Sequence, residues 1–539
     1  MIREQIEGRK SRHRLRRCAV LAVASVVALS LTACGATSGG SGNGNGETTD
    51  TLTLANAVKI DNIDPGASPP ANETIWLDQM LWSRLVLPSE DTTSIQPGLA
   101  KSWDISKDKL TYTFHLRPAK FSDGSPLTAE DVAYSINRSK NNPEAWGFLI
   151  TAVKSITAPD KDTVVVKLSE PHAPLLADLA IYAFAVVPEK LVKAAGSDST
   201  GKNPGKYFTT APIVTSGPYY VSSYSPDSEV TLKANKYFWG KKPAISTFNV
   251  KVIPNDNDRV LALQSGNVDV IENPPVSQRD NIDSNPKLAV DYFNSTRVDS
   301  LYLNNKNKYL SNLKVRQAIR YALDLKTMNK LAYNGKAAIA SSFMPYKMQY
   351  WNDSLGPWPH DVAKAKQLLA EAGYPNGFPL QLITVSGDTI NTAEGVAIQS
   401  ALKKIGIKVN IASYELLTAY DKEDQPDFEM GLRYWTNDII DPDEVVGLDA
   451  DPTSPSKLVS WSIPGLHDLA VQAREELDPQ KRAELYDQIQ KKMYDQSPYI
   501  PMLYPPFSYA RGTWVHGFEV SPLGTYRDSV LNSVKVDQH

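Results

Sequence analysis

The stretch AKSWDISKDKLTYTFHLRPAKFSDGSPLTAEDVAYSINR, residues Ala100 to Arg138, carries strand, turn and helix signals in close succession. Leu110, Tyr112, Phe114 and Leu116 alternate with Thr111, Thr113 and His115. A period of two sends apolar side chains to one face and polar ones to the other, which predicts a half-buried strand. His115 falls on the wet face and reads as a surface residue rather than a ligand. Ser106 to Lys109 is a polar turn joining this strand to an earlier one around Trp103 to Ile105. Thr128 stands before a helical run, and Asp131 three residues on completes a capping box.

Outward from this stretch the same reading repeats. Thr51 to Ala57, Thr163 to Leu168, Glu229 to Ala234 and Phe248 to Ile253 are further strand candidates, most of them rich in Val and Thr. The second half is more helical. Val315, Ala318, Ile319, Ala322 and Leu323 form one apolar face, predicting a helix over Lys314 to Tyr333. Helices are also expected at Val362 to Ala372, Thr392 to Lys404, Gly465 to Glu476 and Pro479 to Tyr494. Strands intervene at Leu380 to Val385 and Lys408 to Ala412. This alternation implies an α/β fold. At 539 residues the chain is long enough for several domains or one large two-lobed body.

The N-terminus is of another kind. Met1 to Arg17 carries seven basic residues against two acidic ones, and Cys18 to Leu31 is an apolar run of 14 residues. That run is short for a bilayer span and fits the core of a secretory signal. It ends in Leu31-Thr32-Ala33-Cys34, which resembles the lipobox of bacterial lipoproteins. Small residues there admit a peptidase, and the Cys34 sulfur accepts a lipid. A signal peptide is therefore expected over residues 1–33 and a lipidated flexible tether over 34–50, where Gly, Ser, Asn and Thr bury nothing. Cys18 leaves with the signal, so Cys34 is the one thiol of the mature chain, and neither a disulfide framework nor a cysteine metal site can form. A chain of net charge −3 that loses seven basic and two acidic residues reaches −8. That balance argues against nucleic acid as a partner. Membrane contact is expected through the lipid, which places the protein outside the cytoplasm on the outer face of the cell membrane.

Several stretches resemble the bacterial extracellular solute-binding proteins of the peptide/nickel family, the receptors of ATP-binding cassette importers. In Ala100 to Arg138 the likeness rests on Phe121-Ser122-Asp123-Gly124 and Thr128-Ala129-Glu130-Asp131, while Arg117-Pro118-Ala119 stands where the family has a glycine turn. TSGPYYVSSYSPDSEVTLKANKYFWGKKP (Thr215 to Pro243), LYLNNKNKYLSNLKVRQAIRYALD (Leu301 to Asp324), KAKQLLAEAGYP (Lys364 to Pro375) and DPQKRAELYDQIQKKMYDQSPYIPMLY (Asp478 to Tyr504) follow in the family's order. The resemblance implies a two-lobed periplasmic-binding-protein-like fold with an extra subdomain inserted in lobe one. Lobe one is expected over 51–297 with the insertion at about 73–209, lobe two over 298–504, and a return to lobe one over 505–539. The chain would cross between lobes near Arg297 and near Tyr504. Two lobes on two crossings can hinge, and a ligand touching both favours the closed state.

The resemblance also implies a ligand site. In peptide-binding relatives a tryptophan is followed three residues later by an aspartate that pairs with the ligand's α-ammonium group, and Trp435 and Asp438 in RYWTNDIIDPDE match that spacing. Thr436 lies between them. A desolvated ammonium requires a fixed anion with charge-assisted hydrogen bonds, and an adjacent indole adds a flat wall. Trp146 and Asn62 are further cleft candidates. Dipeptide binders clamp the ligand carboxylate with an arginine, but the matching segment, Val385 to Asp388, has none, so no bidentate clamp is expected there. A longer peptide, an amine-bearing conjugate, or a cationic or neutral solute remain open as ligands.

Enzymatic chemistry has little support. The sequence has no H-E-x-x-H and no G-x-S-x-G. Asp438, Asp441, Asp443 and Glu444 lack the glycine and distant glutamate of an EF-hand loop. No cofactor and no metal is expected, and the mature chain is expected to act as a monomer with separate permease and ATPase subunits, since it has no P-loop. The alternatives are a peptide-sensing surface receptor of the same fold and, from another class, a hydrolase. Replacing Cys34 with Ser is expected to abolish palmitate incorporation and release the protein from the membrane fraction; retention of C34S on the membrane would remove the anchor.

Overall fold

Four β-sheets of three or more strands, with two small two-stranded ones beside them, organise the described residues of the computed structural model, which describes residues 48–539 except 68–71, 143–144, 199, 201–202, 204, 455, 457 and 526. The expected signal peptide, Cys34 and nearly all of the expected tether lie outside the described residues. The first large sheet has seven strands in the order Tyr219–Ser225, Glu229–Ala234, Thr247–Val252, Thr51–Asn56, Val270–Glu272, Phe507–Gly512 and Leu288–Phe293. Its middle is parallel: Thr51–Asn56 pairs in that sense with Thr247–Val252 and with Val270–Glu272. The second has six strands in the order Ala338–Ile339, Tyr499–Tyr504, Arg297–Leu303, Met430–Thr436, Pro379–Val385 and Lys408–Tyr414. These two mixed sheets, each with its own helices and hydrophobic core, are the bodies of a two-lobed α/β fold.

The opening stretch lies in a third, four-stranded antiparallel sheet of Ala100–Ile105, Thr111–Leu116, Thr163–Leu168 and Val153–Asp160. Tyr112, Phe114 and Leu116 are buried and His115 faces outward beside Asp104, as the alternation predicts. At the start of the helix Ala129–Lys140, both the amide and the hydroxyl of Thr128 donate to Asp131 Oδ2 at 2.9 Å. A fourth, small sheet joins Thr48–Thr49 to the C-terminal strand Lys535–Asp537 and to Val515–His516. No described helix is long and apolar enough to cross a membrane.

The helix expected over Lys314 to Tyr333 is two helices, Leu313–Ala322 and Leu325–Tyr333. The break is chemical. Leu323 is extended, and Asp324 accepts from the amide of Thr327 at 3.1 Å and so caps a new helix. The apolar period runs through the break and hides it.

The chain passes between the two large sheets twice. Residues 294–296 link Leu288–Phe293 to Arg297–Leu303, and Pro505-Pro506 link Tyr499–Tyr504 to Phe507–Gly512. The links are tied together, since the Ser295 hydroxyl donates to the Pro505 carbonyl at 2.5 Å. The lobes also meet away from the links. Ile439 and Ile440, from the loop after Met430–Thr436, pack into the core of the four-stranded sheet, and the Ala173 amide donates to the Arg474 carbonyl at 2.8 Å. Phe248 is fully buried in the first large core, edge-on to Trp76 at 6.0 Å. Phe248→Ala is expected to cost about 3–5 kcal/mol of stability, read as a lowered midpoint in denaturant unfolding.

Candidate functional site

A cavity of about 100 Å³ lies where the two links run between the sheets. Lobe one contributes Trp76, Glu272, Arg279, Ser508 and Tyr509, lobe two contributes Tyr333, Ile390, Tyr434, Thr436 and Asp438, and the links contribute Ser295, Arg297, Pro505 and Pro506. Its position follows from strand geometry. Tyr434 and Thr436 are two apart on the strand Met430–Thr436 and project to the cavity side. Trp435 projects to the other side, packs into a lobe-two core with Tyr302 and Phe343, and donates from Nε1 to Asn437 Oδ1 at 3.2 Å.

Of the residues singled out from the sequence, Thr436 and Asp438 therefore line the cavity and Trp435 does not. Trp146 is buried in the core of the four-stranded sheet, donating to the Tyr182 hydroxyl at 2.8 Å. Asn62 accepts from the Asp64 amide at 3.0 Å in a tight turn and is absent from the cavity wall. The segment Val385 to Asp388 supplies no cation to the site; Asp388 caps the helix Thr389–Lys403 through the Asn391 amide at 2.9 Å.

The acidic loop after Met430–Thr436 resolves residue by residue. Asp441 forms a two-pronged pair with Arg482 at 2.5 and 2.8 Å. Asp443 pairs with Arg474 at 3.0 Å. Glu444 Oε2 accepts from the amides of Asp438 and Ile439 at 2.9 and 3.1 Å. The Asn437 side-chain amide ties the turn by donating to the carbonyls of Ile439 and Asp441 at 3.0 Å. Asp438 is left over: among the described residues its carboxylate takes no hydrogen bond and pairs with no cation. Burial pushes its carboxyl up to about 7. Burial, and then the Asp438 charge, hold Glu444 well above the usual carboxylate range. Among the described residues no cluster of His, Cys, Asp and Glu is arranged to hold a metal ion.

On the opposite side the cavity carries two arginines, Arg279 and Arg297, together with the carboxylate of Glu272, which sequence reasoning missed. Arg297 donates from Nε to Asp299 Oδ1 at 2.6 Å, reaches the Tyr333 hydroxyl at 3.3 Å and lies 3.8 Å from the centre of the Tyr434 ring. The Tyr333 hydroxyl also donates to Asp299 Oδ2. Arg279 comes from the short helix Arg279–Asp283 and donates to the Pro274 carbonyl and the Ser508 hydroxyl, both at 2.9 Å. A single arginine in a polar, proline-flanked segment carries no local signal. Only the sheet topology, which sets this helix beside Leu288–Phe293 at the cavity, gives it a place.

The comparisons with known proteins agree with this architecture. The family model described as "Bacterial extracellular solute-binding proteins, family 5 Middle" matches residues 94–456. The dipeptide-binding protein of Escherichia coli K12 is 30% identical over 83% of this chain and 88% of its own length. Heme-binding protein A of Haemophilus influenzae is 29% identical over 68% of this chain and 70% of its own. Among solved structures, the periplasmic binding protein DppA of Helicobacter pylori, in complex with the peptide STSA, superposes with a TM-score of 0.77 at 28% identity. It covers 91% of this chain and 99% of its own.

The raised Asp438 carboxyl has a consequence for stability. The folded chain holds this proton at pH values where the unfolded chain, with the usual value of 3.8, has lost it. The stabilisation is complete below 3.8 and is lost as the pH rises through about 7. In ligand-free protein the unfolding temperature is expected to fall between those two pH values, and Asp438→Asn to fall less, as scanning calorimetry across the interval would record.

Proposed function

Because this chain belongs to the family 5 bacterial extracellular solute-binding proteins, we propose that it captures a peptide or other amine-bearing small solute in the cavity between its lobes and delivers it to the permease of an ATP-binding cassette importer. The receptor role rests on the family. The choice of ligand rests on one observation: Asp438 is the acid of its loop that no arginine and no amide satisfies, and it faces the cavity. Asp438 is half-buried, and withdrawing a carboxylate from water without a partner is costly. A primary ammonium group supplies the missing charge and up to three N–H donors. Thr436 lines the same wall, and the names of the relatives, dipeptide-binding and di/tripeptide-binding among them, are consistent with a ligand of this kind.

The two links between the sheets serve as the hinge, dividing lobe one from lobe two near Arg297 and near Tyr504. Pro505 and Pro506 fix φ through one link and give neither position a backbone donor, so bending concentrates at their flanks and around Ser295. Cys34 carries the lipid that holds the receptor on the outer face of the membrane, with the permease and ATPase as its partners.

Native mass spectrometry of the freshly purified protein identifies the solute it carries. Asp438→Asn is expected to weaken binding of that solute by at least about 30-fold, or ~2 kcal/mol. A co-purified solute with no basic nitrogen, or affinity unchanged in D438N, would retire the assignment.

A further inference from the structure

The loop that carries Asp438 is braced by one lobe and packs into the other. Its polar groups are satisfied within lobe two: the side chains of Asn437 and Glu444 tie its backbone, Asp441 pairs with Arg482, and Asp443 pairs with Arg474. Its two isoleucines are covered by lobe one. Ile439 is 1% exposed and Ile440 7%, and both belong to the core of the four-stranded sheet, whose other buried members all come from residues 75–186. A second seam runs between the same lobes. The Ala173 amide donates to the Arg474 carbonyl at 2.8 Å, and His172 and Arg474 line one cavity of about 190 Å³. A loop braced in this way keeps its shape if the lobes part, but Ile439 and Ile440 then face water. Their burial draws the lobes together.

We propose that Ile439 and Ile440 form an apolar latch, exposed while the receptor is open, which enters the core of lobe one on closure and holds the closed state. This rests on the hinged, two-lobed reading above and goes beyond it by naming the contact that keeps the lobes shut. The latch is continuous with the ligand site. Ile439 follows Asp438 directly, and Glu444 Oε2 accepts from the amides of both, so the turn at Asp438 and the latch move as one piece. In the empty protein two effects oppose each other: closing encloses the Asp438 carboxylate without a partner and gains the isoleucine contact. A solute that pairs with Asp438 leaves the latch unopposed.

The test separates a latch from a permanent piece of core, using the full chain freed of bound solute by dialysis against dilute denaturant. A latch is exposed in the empty protein. The double variant Ile439→Ala/Ile440→Ala is therefore expected to leave the midpoint of denaturant unfolding unchanged, whereas Ile156→Ala, in the same core but from lobe one, lowers it. In a Cys18→Ser/Cys34→Ser chain, Ile440→Cys supplies the one thiol. Maleimide is expected to modify it in the empty protein at a rate within about tenfold of that in denaturant. A protected thiol, or a fall in midpoint matching that of I156A, makes the pair permanent core and overturns the latch. A mixed pool of unblocked di- and tripeptides is expected to slow the modification at least about tenfold. By calorimetry the double variant is expected to bind that pool at least about 30-fold more weakly, and Ile439→Val, one methylene shorter, about fourfold more weakly. Unchanged affinity in the double variant also overturns the latch. If the pool neither binds nor protects while the thiol stays reactive and the midpoint unchanged, the peptide reading fails and the latch stands.

Discussion

Two short links carry the chain between its large sheets, and that constraint governs the rest of the molecule. Each large sheet has its own helices and its own core, and Ile439 and Ile440 of lobe two bury against the four-stranded sheet of lobe one. What lies between them is free to be polar. The links also bring strand ends from both sheets to one place, and there the cavity forms. A site at that junction can draw a carboxylate from one lobe and a guanidinium from the other. A site inside either core would have to neutralise both charges with protein partners, as Asp64 and Arg138 do in lobe one at 2.7 Å, fully buried.

The fold was legible in the sequence wherever periodicity was local. The strand Thr111–Leu116 and the cap at Thr128 were readable because alternation and capping depend on residues two or three apart. Most of the later helices agree to within a few residues for the same reason. The break at Leu323-Asp324 was not legible, because an aspartate inside an amphipathic run reads equally as a surface position or as a new cap. Only the extended backbone at Leu323 decides between them. Sheet order was likewise beyond local reading: Phe507–Gly512 sits between Val270–Glu272 and Leu288–Phe293, more than two hundred residues away in sequence.

The candidate site was half legible. The resemblance pointed to Asp438 and its neighbour Thr436, and both reach the cavity. It also pointed to Trp435, but adjacent residues of a strand face opposite ways, and the side chains on the cavity face are those of Tyr434 and Thr436. Trp146 and Asn62 stand out in the sequence only by residue type and rough position, and neither carries a direction. The opposite wall was invisible because Glu272, Arg279, Arg297 and Tyr333 come from separate segments whose meeting depends on long-range pairing.

On the proposed role of Asp438, closure comes to depend on cargo. Asp438 lines the cavity and, among the described residues, has no cation beside it, and enclosing an unpaired carboxylate is penalised. A solute that supplies the missing charge would remove that penalty, and the low dielectric of an enclosed cavity would strengthen the new contact. Had the chain paired this group internally, as it pairs Asp441 with Arg482 and Asp443 with Arg474, the lobes would close stably with nothing inside. On this reading the unmatched charge makes the closed shape, the one a permease must recognise, conditional on its ligand.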